Sequence, residues 1–93
     1  MSEYVTVETQ STEDPNTLDF FTNQQLAVGD DEYYANYEQG DEGTPIAQML
    51  FNGVRGIQAL SISGDPLRIT RDPDVAWEEI IDDVRDALRD FFL

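Results

Sequence analysis

Apolar and polar positions along this chain alternate between two periods, and the switches mark its elements. Residues 4–9 are mostly β-branched or aromatic, which favours a strand. Glu13-Asp14-Pro15-Asn16 then supplies turn chemistry, because proline presets φ and both Asp14 and Asn16 can bond the local backbone. In residues 17–22, Leu18 and Phe20 fall on one face and Asp19 and Phe21 on the other, so the first two strands read as a β-hairpin. Thr44-Pro45 opens a helix as N-cap and first helical residue. Ile46, Met49 and Leu50 follow at i, i+3 and i+4, Phe51 widens the stripe, and Asn52-Gly53 supplies the stop. Period two returns over residues 57–63, turns at Gly64-Asp65-Pro66, and resumes over residues 67–71. Leu67 and Ile69 are expected to join Leu60 and Ile62 on one sheet face. Asp72-Pro73-Asp74 places acids where they would cap a last helix, whose apolar stripe is Trp77, Ile80, Ile81, Val84, Leu88 and Phe91.

Residues 23–43 follow neither period. Asp30, Asp31, Glu32, Glu38, Asp41 and Glu42 are unrelieved by any base, with Tyr33, Tyr34 and Tyr37 between them. An EF-hand reading fails: with Asp30 as first ligand, Ala35 stands where the loop requires glycine. The stretch reads as an acidic, weakly structured excursion with one short strand near Ala27-Val28. The order is then ββ, excursion, α, ββ, α within a single domain spanning residues 1–93. That order predicts an α+β two-layer sandwich, a mostly antiparallel sheet with two helices on one face.

Composition changes the picture in two ways. The 93 residues contain no histidine and no cysteine, which removes the usual general base, the thiolate nucleophile, zinc fingers and ordinary iron–sulfur ligation. No cofactor or metal site is therefore expected, and an enzyme is the least favoured class. Twenty acids oppose five bases, all arginine, for a net charge of −15. Such a surface repels nucleic acid and anionic membranes. No apolar run approaches the roughly 20 residues of a membrane span, and the N-terminus lacks a signal-peptide pattern, so a cytoplasmic protein is expected. The sustained stripe of the last helix argues against disorder. On that helix Glu78/Asp82, Glu79/Asp83, Asp82/Asp86 and Asp86/Asp90 are like-charged i, i+4 pairs. Arg85 and Arg89 relieve only part of that repulsion, which suits a halophilic or salt-in cytoplasm.

Four segments carry a family resemblance. Thr12-Glu13-Asp14-Pro15-Asn16-Thr17-Leu18-Asp19-Phe20 is similar to T-P-N-P-N-[ST]-[LM]-K-F, and 44–51 (TPIAQMLF) to S-P-L-A-x-x-L-F. Gly53-Val54-Arg55-Gly56-Ile57 is similar to G-V-[KR]-x-[IV], and Trp77 stands at the start of the last helix as a single tryptophan. In this order and spacing, over residues 3–92, the chain resembles the N-terminal domain of Nfu/NifU-type iron–sulfur scaffold proteins. It departs from them at Glu13, Asp14 and Asp19, where the family usually shows Pro, Asn and Lys. In full-length scaffolds a separate domain holds the cluster through a C-x-x-C motif. The resemblance thus implies a free-standing accessory module that meets a cluster-bearing C-x-x-C scaffold or an apo-client by protein contact.

Candidate partner-binding residues are Arg55, Arg68 and Arg71, either a local positive island or ion-paired to neighbouring carboxylates, and Phe91 with Phe92 at the C-terminus. Adjacent helical residues point about 100° apart, so both phenylalanines cannot share the core stripe equally. Trp77 is expected in the core and Pro15-Asn16 in a turn. An alternative function is an acidic nucleic-acid mimic that binds a basic partner. A further one is binding of hard cations by residues 30–42.

Overall fold

The computed structural model describes residues 5–23, 31–63 and 66–92. Among these, β1 (Val7–Ser11), β2 (Thr17–Thr22) and β3 (Glu32–Tyr34) precede α1 (Tyr37–Asp41) and α2 (Pro45–Gly53). Then follow β4 (Ile57–Ile62), β5 (Leu67–Arg71) and α3 (Trp77–Phe92). The strands form one five-stranded sheet in the order β1-β2-β5-β4-β3, each neighbour antiparallel. The expected two hairpins both form, and they are joined through the central β2–β5 ladder. The fold is α+β, as the order of periods implies.

Register decides the core. Phe20 sits opposite Leu67, Leu60 opposite Ile69 and Ile62 opposite Leu67, so the apolar sets of β2, β5 and β4 share one face. Ile46, Ala47, Leu50 and Phe51 of α2 and Ile80, Val84 and Leu88 of α3 close over it in a single buried cluster. No buried side-chain polar atom lacks a hydrogen-bond partner among the described residues.

The expected strand near Ala27-Val28 lies outside the described residues. Residues 31–43 carry more order than their acid content suggests. Glu32 turns inward along β3 to accept hydrogen bonds from the Tyr34 hydroxyl and from Thr44 Oγ1, the latter at 2.7 Å. Asn36 caps α1 by accepting from the Gln39 amide at 2.9 Å. Gly40 lies buried under the Phe51 ring, where a Cβ would meet ring carbon at 2.1 Å, and Tyr34 and Tyr37 meet that ring edge-on. Tertiary contacts, not local periodicity, order this stretch.

Three local expectations are corrected. Thr44 does stand at the N-cap of α2, but its hydroxyl ties the helix to β3 and makes no capping bond. Asp72 and Asp74 do not cap α3: Asp72 Oδ1 accepts from the Asp74 amide at 3.0 Å in a turn preceding the helix. Glu78 and Glu79 are the acids of the first helical turn. Phe91, assigned to the core stripe, is 41% exposed, whereas Phe92 packs partly against the core.

Gly56 is the position where backbone conformation demands glycine. Its φ is +99°, and a Cβ would approach Val75 Cγ1 to 2.7 Å. Its carbonyl accepts from the Asp72 amide at 2.8 Å, fastening the α2–β4 turn to the approach of α3. Gly56→Ala should lower stability by about 1–2 kcal/mol. Urea unfolding followed by Trp77 fluorescence would show a lower midpoint at unchanged slope.

Candidate functional site

The three grouped arginines are dispersed by the fold. Arg68 and Arg71 lie three apart on β5 and so point to opposite sheet faces. On the open face Arg68 makes a two-pronged pair with Asp19, Nε to Oδ1 at 2.7 Å and Nη2 to Oδ2 at 3.0 Å. Hydrogen bonding to Asp19, reinforced by its charge, raises the guanidinium above its ordinary pKa. Where the resembled family carries lysine, this chain thus uses Asp19 to hold its own arginine.

Arg71 is a structural residue. Its Nε donates to Asn16 Oδ1 at 3.2 Å, its Nη1 donates to the Val75 carbonyl at 3.2 Å, and its guanidinium lies 5.2 Å from the Trp77 ring centre. Trp77 in turn donates from Nε1 to the Pro15 carbonyl at 2.9 Å and packs its ring against Phe20. The Pro15-Asn16 turn, Arg71 and Trp77 are one unit that locks the β1–β2 turn to the start of α3. Trp77 is half-buried, one side in the core and the other beneath Arg71. Trp77→Phe keeps an aromatic ring at this position but loses the indole donor and part of the ring surface. It should cost about 1 kcal/mol in chemical denaturation.

Arg55 lies in a shallow depression with Glu79, Asp82 and Asp83. No ion pair joins it to another described residue. Arg55 and Arg68 are therefore set beside carboxylates and Arg71 against Asn16, Val75 and Trp77, so the three are held in different surroundings. Within α3, Arg85 and Arg89 reach Asp82 and Asp86 at 3.9 and 3.0 Å, both at i, i+3.

The second sequence candidate leads to a larger feature. Phe91 edges onto Phe92, their ring centres 5.1 Å apart, and forms one end of an open groove between α2 and α3 of about 360 Å³. Met49 and Gly53 line it from α2, and Asp83, Asp86, Ala87, Asp90 and Phe91 line it from α3. Gly53 explains the opening: its missing side chain leaves only Ala87 Cβ near, 3.9 Å from where a Cβ would stand. Phe91 lies on the arc of α3 turned toward α2, yet α2 ends in a residue that cannot cover it. Sequence reasoning found Phe91 but missed Met49, Gly53, Ala87 and the aspartates. The helical spacing of 83, 86, 87, 90 and 91 carried that signal on one helix. Pairing it with Met49 and Gly53 required the tertiary fold.

Among the described residues, no group of three or more acidic side chains is placed to hold a metal ion. Glu32, one of the acids of that sequence cluster, is bonded instead to Tyr34 and Thr44. No described helix is long and apolar enough to cross a membrane.

The described residues thus form a two-layer α+β domain with an open groove between its two longer helices. The family described as "Scaffold protein Nfu/NifU N terminal" matches residues 7–93, and the chain belongs to it. A NifU-like protein from Saccharomyces cerevisiae, solved in solution by NMR, superposes with a TM-score of 0.75 at 25% identity, over 94% of this chain and 77% of that one. A crystal structure of a Staphylococcus aureus protein gives 0.71 at 14% identity, over 92% of this chain and 99% of that one, and attests the fold alone. No curated protein sequence matches the chain significantly.

Proposed function

We propose that this domain is a non-catalytic accessory module of iron–sulfur cluster assembly, acting in the cytoplasm by contact with a cluster-bearing C-x-x-C scaffold or an apo-client. One observation carries the reading: membership of the scaffold family runs over residues 7–93, in a chain whose sequence contains no cysteine and no histidine. The family relation supports the process, and cluster ligation by cysteine or histidine lies outside these 93 residues. A protein of this kind contributes binding surface, and its exposed apolar feature is the α2–α3 groove rather than a buried pocket of titratable groups.

Affinity capture from native extract in molar KCl tests the proposal. Enrichment of cluster-assembly or iron–sulfur proteins is expected. Recovery of basic nucleic-acid-binding proteins in their place would overturn it in favour of nucleic-acid mimicry.

A further inference from the structure

The α2–α3 groove has an apolar floor and an acidic margin, and the two differ in where they point. Met49, Ala87 and Phe91 provide the floor, and the absent side chain of Gly53 provides its depth. Asp83, Asp86 and Asp90 follow along α3 at spacings of three and four, so their carboxylates form a row about one helical turn apart beside that floor. Asp86 is bonded to Arg89 at 3.0 Å, whereas Asp83 and Asp90 have no ion-pair partner among the described residues. The margin therefore presents the ion-paired Asp86 between Asp83 and Asp90, which make no ion pair among the described residues, Asp83 also bordering the depression that holds Arg55.

We infer that this groove receives a basic amphipathic helix of the partner protein, with its apolar stripe on Met49, Ala87 and Phe91 and its Arg or Lys side chains along Asp83, Asp86 and Asp90. The inference rests on the functional reading above for the partner's identity, and on charge complementarity for its chemistry. Helices seat in apolar grooves through anchors at i, i+3, i+4 and i+7, the same repeat that spaces the aspartates. A partner leucine or methionine fits over Gly53, where any side chain on this chain would intrude. A second copy of the chain is disfavoured by its own charges. Two-fold pairing through this face would set the aspartate row against itself, and only five arginines stand against 20 acids in each copy. Arg68 and Arg71 are already engaged elsewhere.

The test uses two fluorescein-labelled peptides of about five helical turns. One carries leucines at i, i+3, i+4 and i+7 with arginines flanking them; the other has the same composition with that register shuffled. Both are attracted by the net charge, so the contrast between them isolates the groove. The ordered peptide should bind about tenfold tighter by fluorescence anisotropy. Amide signals of Met49, Gly53, Ala87 and Phe91 should shift in the full chain. Gly53→Leu, whose new side chain has open space and no positive φ to oppose it, should erase the tenfold difference while keeping the melting curve. Asp83→Asn with Asp90→Asn should weaken the ordered peptide several-fold at low salt and little in molar KCl. Equal binding of the two peptides, or undiminished preference in Gly53→Leu, would overturn the inference. The same variant separates it from the functional proposal: capture of cluster proteins that survives Gly53→Leu rejects this surface alone, whereas their absence with the unaltered chain rejects the functional proposal.

Discussion

Truncation of Phe20 to alanine should cost about 3–5 kcal/mol of unfolding free energy, the largest single-residue effect expected in this domain. Phe20 is 1% exposed on β2, between the β1 and β5 ladders, with its ring against Trp77. Removing it deletes apolar burial and leaves a cavity that a rigid sheet cannot close. It also removes the floor under Trp77, whose indole ties the Pro15 turn to α3. A chain of this length has about 5–14 kcal/mol of stability in all, so the variant should be partly unfolded at 37 °C. Equilibrium urea unfolding at 25 °C measures it. Phe20→Leu retains most of the volume and should lose less than about 1.5 kcal/mol. An alanine variant within about 1 kcal/mol of the parent would show that the β2–α3 junction is not the core's centre.

Salt should produce the second large effect. The four like-charged i, i+4 pairs of α3 cost about 0.2–0.5 kcal/mol each at low ionic strength, or about 1–2 kcal/mol from one helix. The ion pairs of Arg85 and Arg89 are exposed and offset little of it. Repulsion among the remaining charges of a −15 chain adds to this. Raising salt from about 0.1 M to 1 M shortens the screening length from about 10 to 3 Å. Exposed repulsions are then largely removed, while the buried cluster is strengthened or unchanged. The melting temperature should rise by at least about 5 °C between low and molar KCl. A flat response would mean that the acids are spaced widely enough not to repel, and that the charge excess is no adaptation to a saline interior.

How much of this was legible beforehand follows from which contacts are local. The hairpin face shared by Leu60, Ile62, Leu67 and Ile69 and the helix stripe through Ile80, Val84 and Leu88 were readable because period alone fixes them. The Pro15-Asn16 turn was readable from its own chemistry, and Asp14 Oδ1 does accept from the Asn16 amide at 2.9 Å. The elements β3 and α1 were not readable. Their order comes from Glu32 reaching Thr44 and Gly40 fitting under Phe51, contacts that leave no periodic trace. Arg71 illustrates the same limit. In sequence it is one of three neighbouring cations, and only the fold shows it spent on Asn16, Val75 and Trp77. At the candidate site the exposed aromatic was legible and its surroundings were not, because the groove exists only where α2 ends against α3. The family likeness, read from four short motifs, extended across nearly the whole domain.

Contact with a cluster-bearing partner is the activity proposed for this domain. Isotope-labelled chain titrated in molar KCl with a purified C-x-x-C scaffold domain, followed by amide NMR, tests it most directly. Saturable shifts centred on Met49, Gly53, Ala87 and Phe91 are the predicted result. Unshifted spectra at saturating scaffold, with and without its cluster and with apo-clients in its place, would contradict it.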